Sequence, residues 1–79
     1  MNAQKFNSLP ISEQAIIMWD KGKFLQLWEE NPVYKIGIYL LFDKITAVYY
    51  DRNLNAIIKI KMWGSAVDKQ EILENTVLN

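Results

Sequence analysis

The sequence predicts an α+β domain with the element order α-β-β-β-β-α, in which the four strands form an antiparallel meander. Apolar residues recur at helical spacing in residues 12–21 and again in residues 68–78. The stretch between them, residues 23–63, is rich in Ile, Val, Tyr and Phe and is interrupted by short polar turns. Short turns join antiparallel strands, because parallel neighbours need a crossover of about a dozen residues.

The first helix is predicted over residues 12–21. Ser12 is expected to be its N-cap, because a serine hydroxyl accepts a hydrogen bond from a free backbone N–H of the first turn. Gly22 is expected to end the helix in the left-handed conformation that glycine adopts easily. The residues expected to face the core are Ala15, Ile16 and Trp19, with Met18 at their flank.

Four strands are predicted between residues 23 and 63. The turns that separate them lie at Asn31-Pro32, at Asp43-Lys44 and at residues 52–55. Two-residue loops at the first two turns and a four-residue loop at the third set the pairing register. That register pairs Leu27 with Ile36, Leu40 with Ala47, and Tyr49 with Ile58.

The second helix is predicted over residues 68–78. Asp68 and Glu71 have the spacing of a capping box, and a helical stripe follows at Ile72, Leu73, Thr76 and Val77. Each helix has one apolar stripe, so we expect both short helices to pack on one face of the sheet. The nearly uncharged face expected beneath them carries Leu25, Leu27, Tyr34, Ile36, Ile38, Leu40, Phe42, Ile45, Ala47, Tyr49, Ala56, Ile58, Ile60 and Met62.

The opposite face of the sheet is expected to stay exposed, although it carries rings and aliphatic side chains. Two short helices cannot cover both faces, and a contiguous exposed apolar patch of more than a few hundred Å² usually marks an interaction site. We therefore expect a non-catalytic protein-interaction module that self-associates through this face as a homodimer. The candidate interface or ligand-binding residues are Phe24, Trp28, Lys35, Gly37, Tyr39, Val48, Tyr50, Ile57 and Trp63.

Composition limits the chemistry open to this chain. Its 79 residues allow one domain, residues 1–79, and nine basic and nine acidic side chains give a net charge of zero. Cysteine and histidine are absent from the sequence, which removes disulfides, thiolate metal ligands and the commonest general base. We expect no catalytic residue, no metal site and no cofactor. Without a long apolar run or a signal-peptide pattern, we expect a cytoplasmic protein that does not enter the membrane.

Two alternatives to self-association stay open. The first is a small-ligand pocket at Gly37, with Gln26 and Lys35 as its polar groups and a lining of Trp28, Tyr39, Tyr50 and Trp63. The second is single-stranded nucleic acid stacked on the same rings, with Lys35, Lys59 and Lys61 beside them. The net charge of zero argues against nucleic acid.

Two stretches of the chain form a combination of helix end and tyrosine-rich strands. They are the run Trp19-Asp20-Lys21-Gly22-Lys23-Phe24 and residues 39–61, which include the run Asn55-Ala56-Ile57-Ile58-Lys59-Ile60. With its tyrosine-rich strands, this combination resembles a small bacterial family of single-domain proteins with no assigned function. The resemblance implies a cytosolic α+β domain with a helix, an antiparallel meander and a closing segment. It brings no activity and no catalytic residue with it.

Overall fold

The computed structural model describes residues 1–74 and confirms the α+β class and the antiparallel meander. The strands form one sheet in the order β1-β2-β3-β4. In chain order the elements are α1 Ala3–Asn7, α2 Ile11–Lys21, β1 Lys23–Trp28, β2 Tyr34–Leu41, β3 Lys44–Asp51, β4 Ala56–Gly64 and α3 Lys69–Glu74. Residues 75–78 of the second predicted helix, with Thr76 and Val77 of its stripe, lie outside the described residues.

Helix α1 is an element that the sequence analysis missed. Its five residues are too few to show a helical period, although Asn2 caps it by accepting a hydrogen bond from the Lys5 backbone N–H at 2.7 Å. Phe6, the buried side chain of this helix, is fully enclosed. The helix therefore adds a core residue at the N-terminus of the chain.

Helix α2 begins and ends differently from the prediction. Pro10 occupies the N-cap without a side-chain hydrogen bond, so Ser12 lies inside the first turn and its assignment as N-cap was wrong. Gly22 ends the helix in an extended conformation, with φ −77° and ψ 143°, and not in the left-handed one. A Cβ at Gly22 would lie 2.6 Å from the Met18 carbonyl oxygen, so the glycine is needed because the two backbones approach closely.

The β2–β3 hairpin turns one residue earlier than predicted. Its two loop residues are Phe42 and Asp43, both at positive φ (50° and 61°), as a type I′ turn requires. Leu40 consequently pairs with Ile45, two residues from its predicted partner Ala47. A shift of two leaves every side chain on the face assigned to it, because strand residues alternate between faces.

The register of the β1–β2 pairing shifts once, and that of the β3–β4 pairing shifts twice, between Tyr49 and Tyr50 and between Ile45 and Thr46. Leu25 is an extra residue in β1, so Leu27 pairs with Gly37 and not with Ile36. Ile58 is an extra residue in β4, so Tyr49 pairs with Lys59. Each insertion exchanges the faces of the residues beyond it.

The helices consequently cover opposite faces of the sheet, and the prediction that they share one face was wrong. On what we call the α2 face, Phe6 and Met18 pack with Leu41, Val48, Ile60 and Met62. On what we call the α3 face, Ile72 packs with Trp28, Ile36, Ile38, Ala47 and Tyr49. The bulge in β4 explains the difference, because it moves Ile60 and Met62 beneath the N-terminal helices. The Tyr49 hydroxyl donates to the Ile72 carbonyl at 3.2 Å and ties α3 to its face.

Helix α2 buries only part of the stripe that was predicted. Met18 is buried and Ala15 packs partly buried against the same cluster, as expected, and Gln14 is buried as well. Ile16 and Trp19 are instead 69% and 66% exposed. The Gln14 side-chain amide donates to the Phe6 carbonyl at 3.0 Å, so contact with the unpredicted α1 selects this orientation. The apolar side chains of Ile16 and Trp19 are left facing solvent.

Within residues 1–74, no helix has the length and apolar character needed to cross a membrane.

Candidate functional site

An open groove crosses the part of the α2 face that α1 and α2 leave uncovered. Its volume is about 310 Å³, and its lining consists of Phe24, Leu27, Lys35, Gly37, Tyr39, Val48, Tyr50 and Ile57. Seven of the nine candidate residues from the sequence analysis are in this lining, and Leu27 joins them. The groove exists because α1 and α2 pack mainly against β4, at the opposite edge of the sheet from β1, and leave the rest of this face uncovered.

Gly37 and Tyr39 form the floor of the groove. The Tyr39 ring lies over Gly37, so a Cβ added there would be 3.1 Å from Tyr39 Cε1. Phe24 packs edge-on against Tyr39, with 5.4 Å between ring centroids and an interplanar angle of 69°. The missing side chain at Gly37 therefore gives room to a tyrosine two residues further along the same strand.

The far end of the groove carries its polar groups. Lys35 Nζ lies 6.0 Å from the centroid of the Tyr50 ring. The Tyr50 hydroxyl donates to the side-chain carbonyl of Asn55, which occupies the β3–β4 turn at a φ of 54°. The Lys35 ammonium and the Tyr50 hydroxyl thus stand at this end of the groove, and the Tyr39 phenol is the third polar group among the lining side chains.

A second hollow connects the groove to helix α2. It has a volume of about 190 Å³ and shares Phe24, Tyr39 and Val48 with the groove, while Met18, Trp19 and Gly22 complete its wall. Ile16 adjoins Trp19 on the exposed side of the helix. We call this continuous surface, from Ile16 through Trp19, Phe24 and Leu27 to Ile57, the open apolar surface.

Two candidates, Trp28 and Trp63, lie on the opposite, α3 face. Trp28 pairs with Ile36, is 7% exposed and has Lys69 Nζ 4.9 Å from the centroid of its ring. Trp63 packs against the same core cluster and has Lys61 Nζ 3.9 Å from its ring centroid. Both residues were misplaced because the register slips in the outer strands put them on the other face.

The lysines that would contact a nucleic-acid strand are also divided between the faces. Lys35 stands at the groove, whereas Lys59 lies on the α3 face, with its Nζ 5.3 Å from the Tyr49 ring. Burial lowers the pKa of Lys59, and the positive charge of Lys61 lowers it further. The stacking platform of three lysines and four rings is therefore not assembled on one surface.

The buried acidic side chain of Asp51 serves a structural contact. No group of three or more Asp and Glu residues that could hold a metal ion occurs within residues 1–74. The Asp51 carboxylate accepts from the backbone N–H groups of Asn53 and Leu54, at 2.8 and 2.9 Å, and so closes the β3–β4 turn. The groove offers apolar contact, ring faces and one positive charge.

Three residues of the open apolar surface were not predicted to lie there. Leu27 was assigned to the covered face, and Ile16 and Trp19 to the buried side of α2. The exposure of Leu27 was not predicted because of the register shift in β1. The exposure of Ile16 and Trp19 was not predicted because helix α1, which sets the orientation of α2, was not predicted. The exposed apolar stripe of α2 has no local signal in the sequence, because its helical spacing is the same whichever side packs.

Comparisons of this chain with protein-family models, with curated proteins and with solved structures find no match.

Proposed function

We propose that this protein is a non-catalytic interaction module that self-associates through its open apolar surface, with a homodimer as its working form. The observation that carries the proposal is the continuity of exposed apolar side chains from helix α2 to strand β1. Trp19 and Phe24, at 66% and 55% exposure, adjoin the same hollow, and the groove continues from it to Leu27 and Ile57. Exposed apolar surfaces of this continuity are typical of interaction sites.

The small size of the core supports a partner of the same chain. The sheet separates the buried apolar residues into two clusters, and each helix layer is short. A domain of this length buries a smaller fraction of its surface on folding than a larger domain does, and association is a common way for small domains to gain stability. Burying part of this surface against a second copy would add apolar contacts to both chains. A cytoplasmic location belongs to this proposal, and the absence of cysteine is compatible with it, because the fold needs no oxidising compartment to form disulfides.

The proposal is tested by measuring mass as a function of concentration. Sedimentation equilibrium or light scattering between about 1 and 100 μM should show a dimer for the natural chain, since specific dimers commonly dissociate at or below the micromolar range. Trp19→Glu and Phe24→Glu should each weaken the dimer by about tenfold or more, because each places a charge in the buried interface.

Leu54→Glu is the matched control. Leu54 is 69% exposed in the β3–β4 turn, outside the lining of the groove and hollow, and its replacement should leave dimerisation unchanged. All three variants change exposed side chains and should keep the far-UV circular dichroism of the natural chain. A natural chain that stays monomeric over the whole range, or Trp19 and Phe24 variants that associate like the control, would overturn the proposal.

A second candidate function is the binding of a small apolar ligand with an anionic group. The observation that favours it is the volume of about 310 Å³ beside the Lys35 ammonium, since ligand pockets commonly begin near ~300 Å³. Aromatic carboxylates that raise the thermal midpoint of the natural chain, and not of Lys35→Gln, would support this candidate. A uniform lack of stabilisation across such a series would remove it.

A further inference from the structure

The sheet has two outer edges, and they differ in how far other parts of the chain block them. Strands β1 and β4 are the terminal strands of the order β1-β2-β3-β4. The outer edge of a terminal strand presents backbone N–H and C=O groups that can pair with another strand. Natural domains usually block such an edge with charged side chains, with bulges or with a covering element.

The edge of β4 is blocked in all three ways. Asn7, at the end of α1, donates from its side-chain amide to the Met62 carbonyl at 2.9 Å and accepts from the Met62 N–H at 2.7 Å. This amide satisfies the backbone of β4 as a neighbouring strand would. Lys59 and Lys61 add charge to the strand, and its pairing with β3 has two register breaks.

The edge of β1 contains one bulge, and no other element covers it within residues 1–74. The residues of β1 from Lys23 to Leu27 are all exposed, and within residues 1–74 its strand neighbour is β2. Three exposed side chains in this run are large and apolar: Phe24, Leu25 and Leu27. An apolar, exposed edge strand is a template for strand addition.

The charges around β1 make the strand complementary to itself. Lys23 stands at its N-terminal end, and Glu29 follows its C-terminal end. Their neighbours Lys21 and Glu30 are already ion-paired within the chain, with Asp20 at 3.7 Å and with Lys69 at 3.1 Å, so Lys23 and Glu29 supply the charges for pairing. A second copy that pairs antiparallel brings each basic end beside the acidic end of its neighbour. A parallel copy would instead place like charges together.

Antiparallel pairing of two β1 strands also brings apolar residues of the same face together. The bulge at Leu25 places Phe24 and Leu27 on one face, because Phe24 pairs with Tyr39 and Leu27 with Gly37 on the α2 face. Directly opposed residues of an antiparallel pair point to the same face. The register in which Phe24 opposes Leu27 of the second copy therefore matches both ends of the strand and both faces.

We propose that β1 pairs antiparallel with β1 of a second copy, about a two-fold axis perpendicular to the sheet, so that two four-stranded sheets become one continuous sheet. This inference rests on the proposed self-association and assigns its geometry. The two open apolar surfaces meet at the junction, where each Phe24 packs on the Leu27 of the neighbouring copy. A foreign peptide would need to reproduce the charge and apolar order of β1, whereas a second copy has that order already.

Reciprocal charge reversal tests the pairing. Lys23→Glu places negative charge at both ends of the interface in its own dimer, and Glu29→Lys places positive charge at both ends. Each variant alone should dimerise about tenfold more weakly than the natural chain. An equimolar mixture restores opposite charges at both ends and should form a heterodimer of near-natural affinity, which native mass spectrometry resolves by mass.

Lys5→Glu and Glu13→Lys are the matched controls, because they make the same charge changes at exposed positions on α1 and α2. These controls should dimerise like the natural chain, alone and mixed. A natural chain that dimerises while Lys23→Glu and Glu29→Lys behave like the controls would overturn β1 pairing and leave self-association standing. A natural chain that never dimerises would overturn both.

Discussion

Removal of the Asn7 side chain should destabilise the fold through the exposed edge of β4. The Asn7 amide makes two hydrogen bonds with the Met62 backbone, at 2.9 and 2.7 Å, in a partly buried setting. Each such bond contributes on the order of 1 kcal/mol net. Asn7→Ala also leaves the N–H and C=O of Met62 without this partner, so we expect the free energy of unfolding to fall by about 2–3 kcal/mol.

The measurement is urea unfolding followed by tryptophan fluorescence, at one protein concentration so that association does not change the comparison. Asn2→Ala is the control, because Asn2 accepts one exposed hydrogen bond from the Lys5 N–H at a helix N-terminus. Its loss should cost about 1 kcal/mol or less. Equal losses for Asn7→Ala and Asn2→Ala would refute the reasoning that Asn7 stands in for a neighbouring strand.

Asn7→Asp separates hydrogen bonding from packing at the same position. The carboxylate can still accept from the Met62 N–H, but its second oxygen faces the Met62 carbonyl where the amide donated. We compare the unfolding free energy of Asn7→Asp with that of Asn7→Ala at the same pH. This difference should favour Asn7→Asp more below about pH 4 than at neutral pH, because the protonated carboxyl can donate to the Met62 carbonyl. A stability difference between the two variants that does not change with pH would contradict the assignment.

Two further predictions concern single side chains. Burial raises the pKa of Tyr49 from 10.0 to about 12, so its contribution to stability is present below pH 10 and is lost as the pH rises from 10 to 12. Over this window the unfolding free energy of the natural chain should fall more steeply than that of Tyr49→Phe, by up to about 1.4 kcal/mol per pH unit, and parallel slopes would contradict the burial of this hydroxyl. Phe42 holds a φ of 50° in the β2–β3 turn, which costs a bulky residue about 1–2 kcal/mol. Phe42→Asn should therefore raise the unfolding free energy by about 1 kcal/mol, whereas Phe42→Ala should not, and a gain from alanine alone would point to another cause.

The antiparallel meander could be predicted because its evidence is local. Short polar turns between strand-forming runs leave antiparallel pairing as the available connection, and the structure contains that sheet. The candidates on the two central strands also stayed together. Lys35, Gly37, Tyr39, Val48 and Tyr50 belong to β2 and β3, whose observed register differs from the predicted one by two residues. A shift of two preserves every face.

The outer strands could not be assigned in the same way. Phe24 kept its predicted partner Tyr39 because Leu25 is inserted after it, whereas Trp28, beyond the insertion, moved to the α3 face. Ile57 likewise kept Tyr50 as its partner, and the insertion of Ile58 moved the lysines that follow. A bulge needs no special residue type at these positions, so neither insertion could be predicted from the amino-acid sequence.

The sequence by itself determined the fold class, the strand order and the apolar residues available for burial, because backbone preference and turn chemistry act between near neighbours. Tertiary structure alone decided which apolar residues stay exposed. Phe6 and Met18 on one side of the sheet, and Ile72 on the other, compete for alternate strand positions, and inserting one residue into a strand exchanges those positions. Ile16 and Trp19 face solvent as a result of that packing, and they owe their place on the open apolar surface to contacts made far along the chain.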